Sequence, residues 1–209
     1  MPAVKRLLDV VGAAVGLVVL SPLLAVVALV LLVTQGWPVV FGHLRPGLDG
    51  RPFTLYKFRT MTNRRGQDGN LLSDAERITP VGRFLRKTSI DELPELVNVL
   101  KGDMSLVGPR PLLMSYLERY TPEQARRHDV RPGITGQAQV AGRNDITWDE
   151  RFAYDLWYVD HVSVLTDLRI LVQTAIKVLK REGISHPTHA TMPEYEGPTG
   201  SRGNDLRNP

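Results

Sequence analysis

Asp91 and Glu92 stand side by side in the stretch TSIDELPELVNVLKGDMSLVGPRP (residues 88–111), with Arg86 and Lys87 just before it and Arg110 near its end between Pro109 and Pro111. An acidic pair flanked by guanidinium groups is suited to phosphate chemistry. One carboxylate can attack phosphorus or hold a cation, while arginines neutralise charge on phosphoryl oxygens. The two prolines restrict the backbone around Arg110, as befits a guanidinium fork held for bidentate phosphate contact. Asp103 and Ser105 add oxygen atoms that could serve a hard cation such as Mg²⁺, which takes one or two carboxylates together with substrate phosphates. Gly102 and Gly108 allow a backbone to approach a ligand closely, and simple turns explain them equally well. The acids also fit a plainer role. Ser89-Ile90-Asp91-Glu92 has the capping-box pattern, in which Ser89 bonds the amide of Glu92 and Glu92 reaches back. Pro94 favours a first helical turn, so a helix starting near Leu93 is the other register. In both, the acids sit where free amides and positive dipole potential would face a phosphate.

The element that must hold this chemistry in place lies upstream. Residues 10–33, VVGAAVGLVVLSPLLAVVALVLLV, carry no charge and are long enough, at about 1.5 Å per residue, to cross a hydrocarbon core. The run is too long for a cleaved leader, and no small-residue cleavage site follows it before Gln35, Gly36, Trp37 and Pro38. Ser21 and Pro22 fall in its middle, where proline removes a helical hydrogen bond and predicts a kink. Lys5 and Arg6 precede the run, and Arg45, Arg51, Lys57, Arg59, Arg64 and Arg65 follow it, so both flanks favour the cytoplasmic side. A straight span satisfies one flank. A helix that bends at Ser21-Pro22, dips in and returns satisfies both, with the Ser21 hydroxyl available to a freed carbonyl.

Beyond the run, residues 36–50 read as the exit from the bilayer, with Trp37 and Phe41 at interfacial depth. Residues 51–61, RPFTLYKFRTM, suggest a short strand, and residues 63–74 a polar loop. Residues 79–87 form a basic amphipathic helix with Thr79 as N-cap and Pro80 at the first position. Residues 113–128 form a helix interrupted at Thr121-Pro122, where Thr121 caps a new start. Residues 149–161 carry Phe152, Leu156, Trp157 and Val159. Residues 166–180 place Leu168, Leu171, Val172, Ala175, Ile176 and Leu179 at helical spacing. Such faces bury against a core, although Trp157, Tyr158, Lys177, Lys180 and Arg181 would also suit a membrane interface.

Composition narrows the partners. The 209-residue chain has a net charge of +4 and no cysteine, which removes disulfides, thiolate metal sites and a thiol nucleophile together. Its five histidines lack paired-ligand spacing, so a zinc site is not expected. A basic balance rewards diphosphates, anionic lipid or nucleic acid alike, but the chain carries no recognisable nucleic-acid motif and the apolar segment argues against that partner. A membrane-bound interaction protein, with the acids serving only as a cap, is the rival from another class.

Five segments in order then resemble one family: KRLLDVVGA (5–13) with Ser21-Pro22, YKFRTM (56–61), residues 88–111, RPGITGQAQVAGR (131–143), and YDLWYVDHVS (154–163) with Asp167-Leu168. The family is the bacterial sugar transferases, specifically the small monotopic polyprenyl-phosphate phosphoglycosyl transferases. The resemblance implies an α-rich α+β membrane-associated domain with a re-entrant helix broken at Ser21-Pro22 over residues 1–36, and amphipathic interfacial helices and a small β element in a catalytic domain over 37–184; beyond it the Pro, Gly, Ser and charge of residues 185–209 read as a loosely ordered tail. It implies transfer of a sugar 1-phosphate from a UDP-sugar to undecaprenyl phosphate at the cytoplasmic face of the bacterial inner membrane, an early step of glycoconjugate assembly that downstream glycosyltransferases would continue. Asp91 would form a covalent phosphosugar intermediate and hold Mg²⁺, with Glu92 assisting as a base or in positioning. Arg86 and Arg110 would contact phosphate, Lys57 and Arg59 of the KFR motif would contact phosphate or a lipid headgroup, and Arg131 and Arg143 would lie toward the nucleotide. Residues 189–197, HATMPEYEG, resemble members that use N-acetylated amino sugars. UDP-galactose and UDP-glucose are the alternative donors.

Overall fold

The computed structural model describes residues 3–142, 146–180 and 194–197. Helix α1 spans Ala3–Gln35. Lys5, Asp9, Ala13, Leu17, Leu20, Leu24, Val27 and Leu31, at steps of three and four, make one stripe of contact with the rest of the molecule. The remaining surface of the helix is apolar and bare, as at Val11, Val18, Val26 and Val33. The sequence predicts a break at Ser21-Pro22, yet the helix is not interrupted there. Pro22 lacks the amide that would bond Val18 O, and the Ser21 hydroxyl donates to that carbonyl instead at 2.8 Å.

Both ends of α1 are tied to the same body. Lys5 Nζ donates to Asp167 Oδ2 at 2.5 Å and to Val107 O at 3.1 Å. Arg6 donates to Val99 O at 2.7 Å. Asp9, 3% exposed, accepts from Ser105 Oγ and the Leu106 amide, both at 3.0 Å. At the far end Gln35 Nε2 donates to Arg59 O at 3.3 Å and Thr79 Oγ1 at 3.2 Å, and the Arg59 guanidinium donates to the carbonyls of Gln35 and Gly36.

Strands β1 (Val40–Pro46) and β2 (Pro52–Phe58) form an antiparallel hairpin in which Val40 faces Phe58 and Pro46 faces Pro52. Strand β2 was expected. Strand β1 falls in the region read as a bilayer exit, and its glycine, flanking prolines and mostly exposed side chains erase the alternation that marks a strand. Leu55 of β2 joins Ala13, Leu96, Val99 and Met104 in one core cluster, and Phe58 joins Val27, Leu31 and Leu85 in another. The short helix α2 (Asp74–Arg77) ends the predicted polar loop. Helix α3 (Pro80–Thr88) starts as predicted, with Thr79 Oγ1 accepting from the Gly82 amide at 2.9 Å.

Helix α4 (Glu95–Lys101) leads into β3 (Ser105–Val107), which pairs in parallel with β4 (Gly133–Thr135). The glycines of the two motifs bring these backbones into contact: a Cβ on Gly133 would lie 2.0 Å from Gly108 N, and one on Gly136 2.2 Å from Gly108 O. In place of the longer helices expected over 113–128 there is a 3₁₀ segment (Met114–Arg119), then α5 (Pro122–Ala125) capped by Thr121 as predicted, then a further 3₁₀ turn. Helices α6 (Gln137–Ala141), α7 (Trp148–Asp160) and α8 (Val164–Lys180) complete the body.

Two faces differ from expectation. Helix α7 buries Arg151, Phe152, Asp155 and Tyr158 and leaves Trp157 exposed. Helix α8 buries Ile170, while Leu168, Val172 and Ile176 of its periodic face stay exposed with Leu165. Periodicity reports an apolar face without saying what covers it.

Asp167 also accepts from Tyr158 Oη at 2.7 Å, so it joins α7 and α8 to the start of α1. Asp167→Ala should lower stability by about 3–5 kcal/mol, because it strands the buried Lys5 ammonium. Thermal unfolding in detergent reads this out, and an unchanged midpoint would contradict the anchoring role.

Candidate active site

Four separate pieces of chain deliver the charged groups. Lys57 comes from the end of β2, Arg86 from the last turn of α3, Asp91 and Glu92 from a 3₁₀ turn (Ile90–Glu92), and Arg110 from the loop after β3. Ser89 has φ 56°, ends α3 in the left-handed region, and turns the chain so that the acids precede α4. The capping box is therefore absent. Ser89 makes no side-chain cap, Pro94 occupies the cap position of α4, and Glu92 is engaged elsewhere.

Glu92 accepts from Lys57 Nζ at 2.7 Å and from both terminal nitrogens of Arg110, one of them at 3.1 Å. Burial pushes the Glu92 carboxyl up, but Arg110 and Lys57 overcome that and hold it well below the usual range. Arg110 is raised in turn, chiefly by Glu92. The Arg110 backbone is fixed from behind, since Arg127 donates to Arg110 O at 2.8 Å and pairs with Asp155 at 2.7 Å inside the core. Arg86 Nε donates to Thr60 Oγ1 at 3.0 Å. A Cβ on Gly82 would fall 1.9 Å from Thr60 O, so only glycine lets α3 approach this closely.

Asp91 is 8% exposed and, among the described residues, its carboxylate has no hydrogen bond or ion pair. Burial pushes its carboxyl up and Glu92 adds to this, against the pull of Lys57, Arg110 and Arg86. An unpaired carboxylate of raised basicity beside three cations is what attack at a phosphate requires. Asp91 and Glu92 open onto a cavity of about 640 Å³ whose other charged walls include Arg45, Lys57, Arg77, Arg86 and Arg110. Arg86, Glu92 and Arg110 also wall a second cavity of about 390 Å³ on the side of Thr135, Gln139 and Thr174.

Most of the predicted site residues converge. Arg59 lines the larger cavity, although its guanidinium is committed to the end of α1. Arg131 lines neither cavity and donates to Gly102 O at 2.7 Å, so it braces the loop before β3. Arg143 lies outside the described residues. Asp103 accepts from Asn98 and stands 3.6 Å from Lys101, while Ser105 bonds Asp9, so neither adds a ligand for a cation at Asp91. No cluster of three or more metal-binding side chains occurs among the described residues. The donor set fits Mg²⁺ only in the form of one carboxylate completed by substrate phosphates. Arg45, Thr60, Arg77 and Glu95 escaped sequence reading, because each lies outside the acidic motif or looks like ordinary surface charge or helix-start chemistry.

The profile of the family described as bacterial sugar transferase matches residues 1–181. A Bacillus subtilis protein described as the uncharacterized sugar transferase EpsL is 55% identical over 193 residues, covering 92% of this chain and 96% of that protein. The undecaprenyl-phosphate galactose phosphotransferase of Salmonella typhimurium is 43% identical over 198 residues, covering 86% of this chain and 41% of that protein, so the chain spans about two fifths of that relative's length. The UDP-glucose:undecaprenyl-phosphate glucose-1-phosphate transferase of Caulobacter vibrioides is 43% identical over 187 residues, covering 84% of this chain and 69% of that protein. With the profile matched over residues 1–181 and a relative alike over nearly its whole length, the chain belongs to the bacterial sugar transferase family.

Proposed function

We propose that the chain transfers a hexose 1-phosphate from a UDP-sugar to undecaprenyl phosphate through a covalent intermediate on Asp91. The observation that carries this reading is the division of labour within the acidic pair. Glu92 is occupied by Lys57 and Arg110, and Asp91 is left bare at the cavity wall. An Asp91 oxygen forms a bond to the sugar-bearing phosphorus as the bond from that phosphorus to the bridging oxygen breaks, releasing UMP. The acceptor's phosphate oxygen then bonds to the same phosphorus and frees the Asp91 carboxylate. Arg86, Arg110 and Lys57 neutralise charge that grows on the phosphoryl oxygens. Asp91 is the residue that would hold Mg²⁺ together with the substrate phosphates, and the ion would supply further charge neutralisation. Glu92 acts by positioning Arg110 and Lys57, since a carboxylate so strongly paired is a poor base near neutral pH.

The donor in this reading is UDP-galactose or UDP-glucose, in place of the N-acetylated amino sugar expected from residues 189–197. Named relatives act on galactose and glucose. Within that segment only residues 194–197 are described, and their contacts are structural. Tyr195 is buried against Tyr116, Trp148 and Phe152, and Glu194 pairs with Arg119 at 3.1 Å.

Surface chemistry supports seating at a membrane in this reading. The helix α1 is long and apolar enough to enter a bilayer, and its bare flank is accompanied by the exposed apolar face of α8 and by exposed Trp37 and Phe41. Because both ends of α1 are bonded to one body, a re-entrant placement that keeps both ends on the cytoplasmic side is preferred to a span.

Asp91→Asn should abolish turnover and prevent the phosphohexose adduct that intact mass spectrometry detects on the wild type given UDP-sugar without acceptor. An active Asp91→Asn enzyme would refute the nucleophile. A donor panel with undecaprenyl phosphate and Mg²⁺, read as UMP release, should show UDP-galactose or UDP-glucose at least about tenfold ahead of UDP-N-acetylglucosamine, a gap of about 1.4 kcal/mol. The reverse order would restore the amino-sugar reading, and silence from every donor would leave a non-catalytic interaction protein.

A further inference from the structure

An acid at the first position of a helix is ordinary, and Glu95 at the start of α4 draws no notice in the sequence. Its surroundings are less ordinary. Glu95 is 2% exposed, a burial that an ionisable group tolerates only with partners. Lys57 Nζ stands 3.2 Å from Glu95 Oε1, close enough for an ion pair but without the alignment of a hydrogen bond. The same ammonium lies 2.7 Å from Glu92 Oε1, so one cation serves two carboxylates. Four charged groups face Glu95: Lys57 from β2, Glu92 from the preceding turn, Arg110 from the loop after β3, and Arg45 from β1. Lys57 lines the larger cavity and Glu95 does not. A phosphate arriving there meets the ammonium first, with Glu95 behind it.

Burial, and then the charge of Glu92, pushes the Glu95 carboxyl up to about 7, against the pull of Lys57 and Arg110. Near neutral pH it is thus divided between ionised and protonated forms. A diphosphate brought into the cavity adds negative charge close to Glu92 and Glu95, and like charges at such range favour proton uptake.

Resting on the reading that this cavity takes a UDP-sugar, we propose that Glu95 is a positioning residue that competes with the donor's diphosphate for Lys57, and that donor binding draws a solvent proton onto Glu95. When ionised, Glu95 holds the ammonium back into the core. When protonated, it releases the ammonium to the phosphates. The O–H bond formed on Glu95 as the donor enters is broken when the phosphates leave, and the proton returns to solvent. No other reactant is involved.

Calorimetric titration of the wild type with a methylene-bridged UDP-galactose, which cannot be cleaved between its phosphorus atoms, tests this directly. Repeated in two buffers of different ionisation enthalpy at about pH 7.5, it should show uptake of about half a proton or more per ligand bound. Glu95→Gln, which imitates the protonated side chain, should take up almost none. Wild-type affinity should weaken by about fivefold between about pH 7 and pH 8.5 as Glu95 ionises, whereas Glu95→Gln should hold its affinity across that range. Binding by the wild type without proton uptake would overturn the proposal and leave the transferase reading intact. Uptake that persists in Glu95→Gln would assign the proton to Asp91 or to another group at the cavity and overturn it equally. Absence of any binding by the wild type, at every pH, would instead overturn both the transferase reading and the inference that rests on it.

Discussion

Glu92 held between Arg110 and Lys57 is the interaction on which the rest of the site depends. Taking these charges out of water costs several kcal/mol per ion, and the cost is offset only when geometry and further hydrogen bonds are good. Here the fork of Arg110 meets both carboxylate oxygens, Lys57 adds a third donor, and Arg110 is itself pinned through Arg127 to Asp155 of α7. The knot ties β2, the turn before α4 and the loop after β3 to one point. It also decides what Asp91 is. With two of the neighbouring cations engaged by Glu92, Asp91 feels their field without being neutralised by contact, and its carboxylate is left without a partner among the described residues.

A cluster of this kind needs a frame that does not drift, and α1 supplies it. The helix carries its charged groups near its N-terminal end and Gln35 at its last position, and these tie it to the body: Lys5 and Arg6 on Asp167 and the carbonyls of Val99 and Val107, Asp9 on Ser105, Gln35 on Thr79. Between them a single stripe packs against β2, α3 and α4, the elements that deliver Lys57, Arg86 and the acids. The opposite flank is apolar and exposed. The long apolar helix is thus also the scaffold of the site, and the polar groups around Lys5 and Asp9 bear directly on the segment that follows the acidic motif.

Much of this was legible before any coordinates. The acidic pair, Arg86 and Arg110 are marked by residue type and spacing, Lys57 by the family resemblance, and Thr79, Thr121 and Ser21 do at their helix positions what their chemistry predicts. What escaped notice has physical causes. Ser89 adopts a left-handed conformation that no local pattern announces, so the apparent capping box dissolves and Glu92 finds partners 35 and 18 residues away. Strand β1 is exposed and interrupted by glycine, and β3 and β4 are three residues each and joined by backbone contact between glycines. Arg131 is placed toward the nucleotide by the family resemblance alone, and the structure shows its guanidinium bonded to Gly102 O, a pairing that no local pattern announces. Pairings across long stretches of chain decide these cases, and a single sequence does not display them.

The central claim is that Asp91 stands free because Glu92 does not, and that the freedom is used to carry the phosphosugar. The most direct measurement is isotope exchange: enzyme, UDP-galactose, Mg²⁺ and labelled UMP are incubated with no lipid acceptor present, and label entering UDP-galactose is followed. A covalent Asp91 intermediate predicts exchange at a rate comparable with turnover, since UMP can attack the adduct and reverse the first step. Exchange that occurs only when undecaprenyl phosphate is added would show direct transfer between the two substrates and contradict the account.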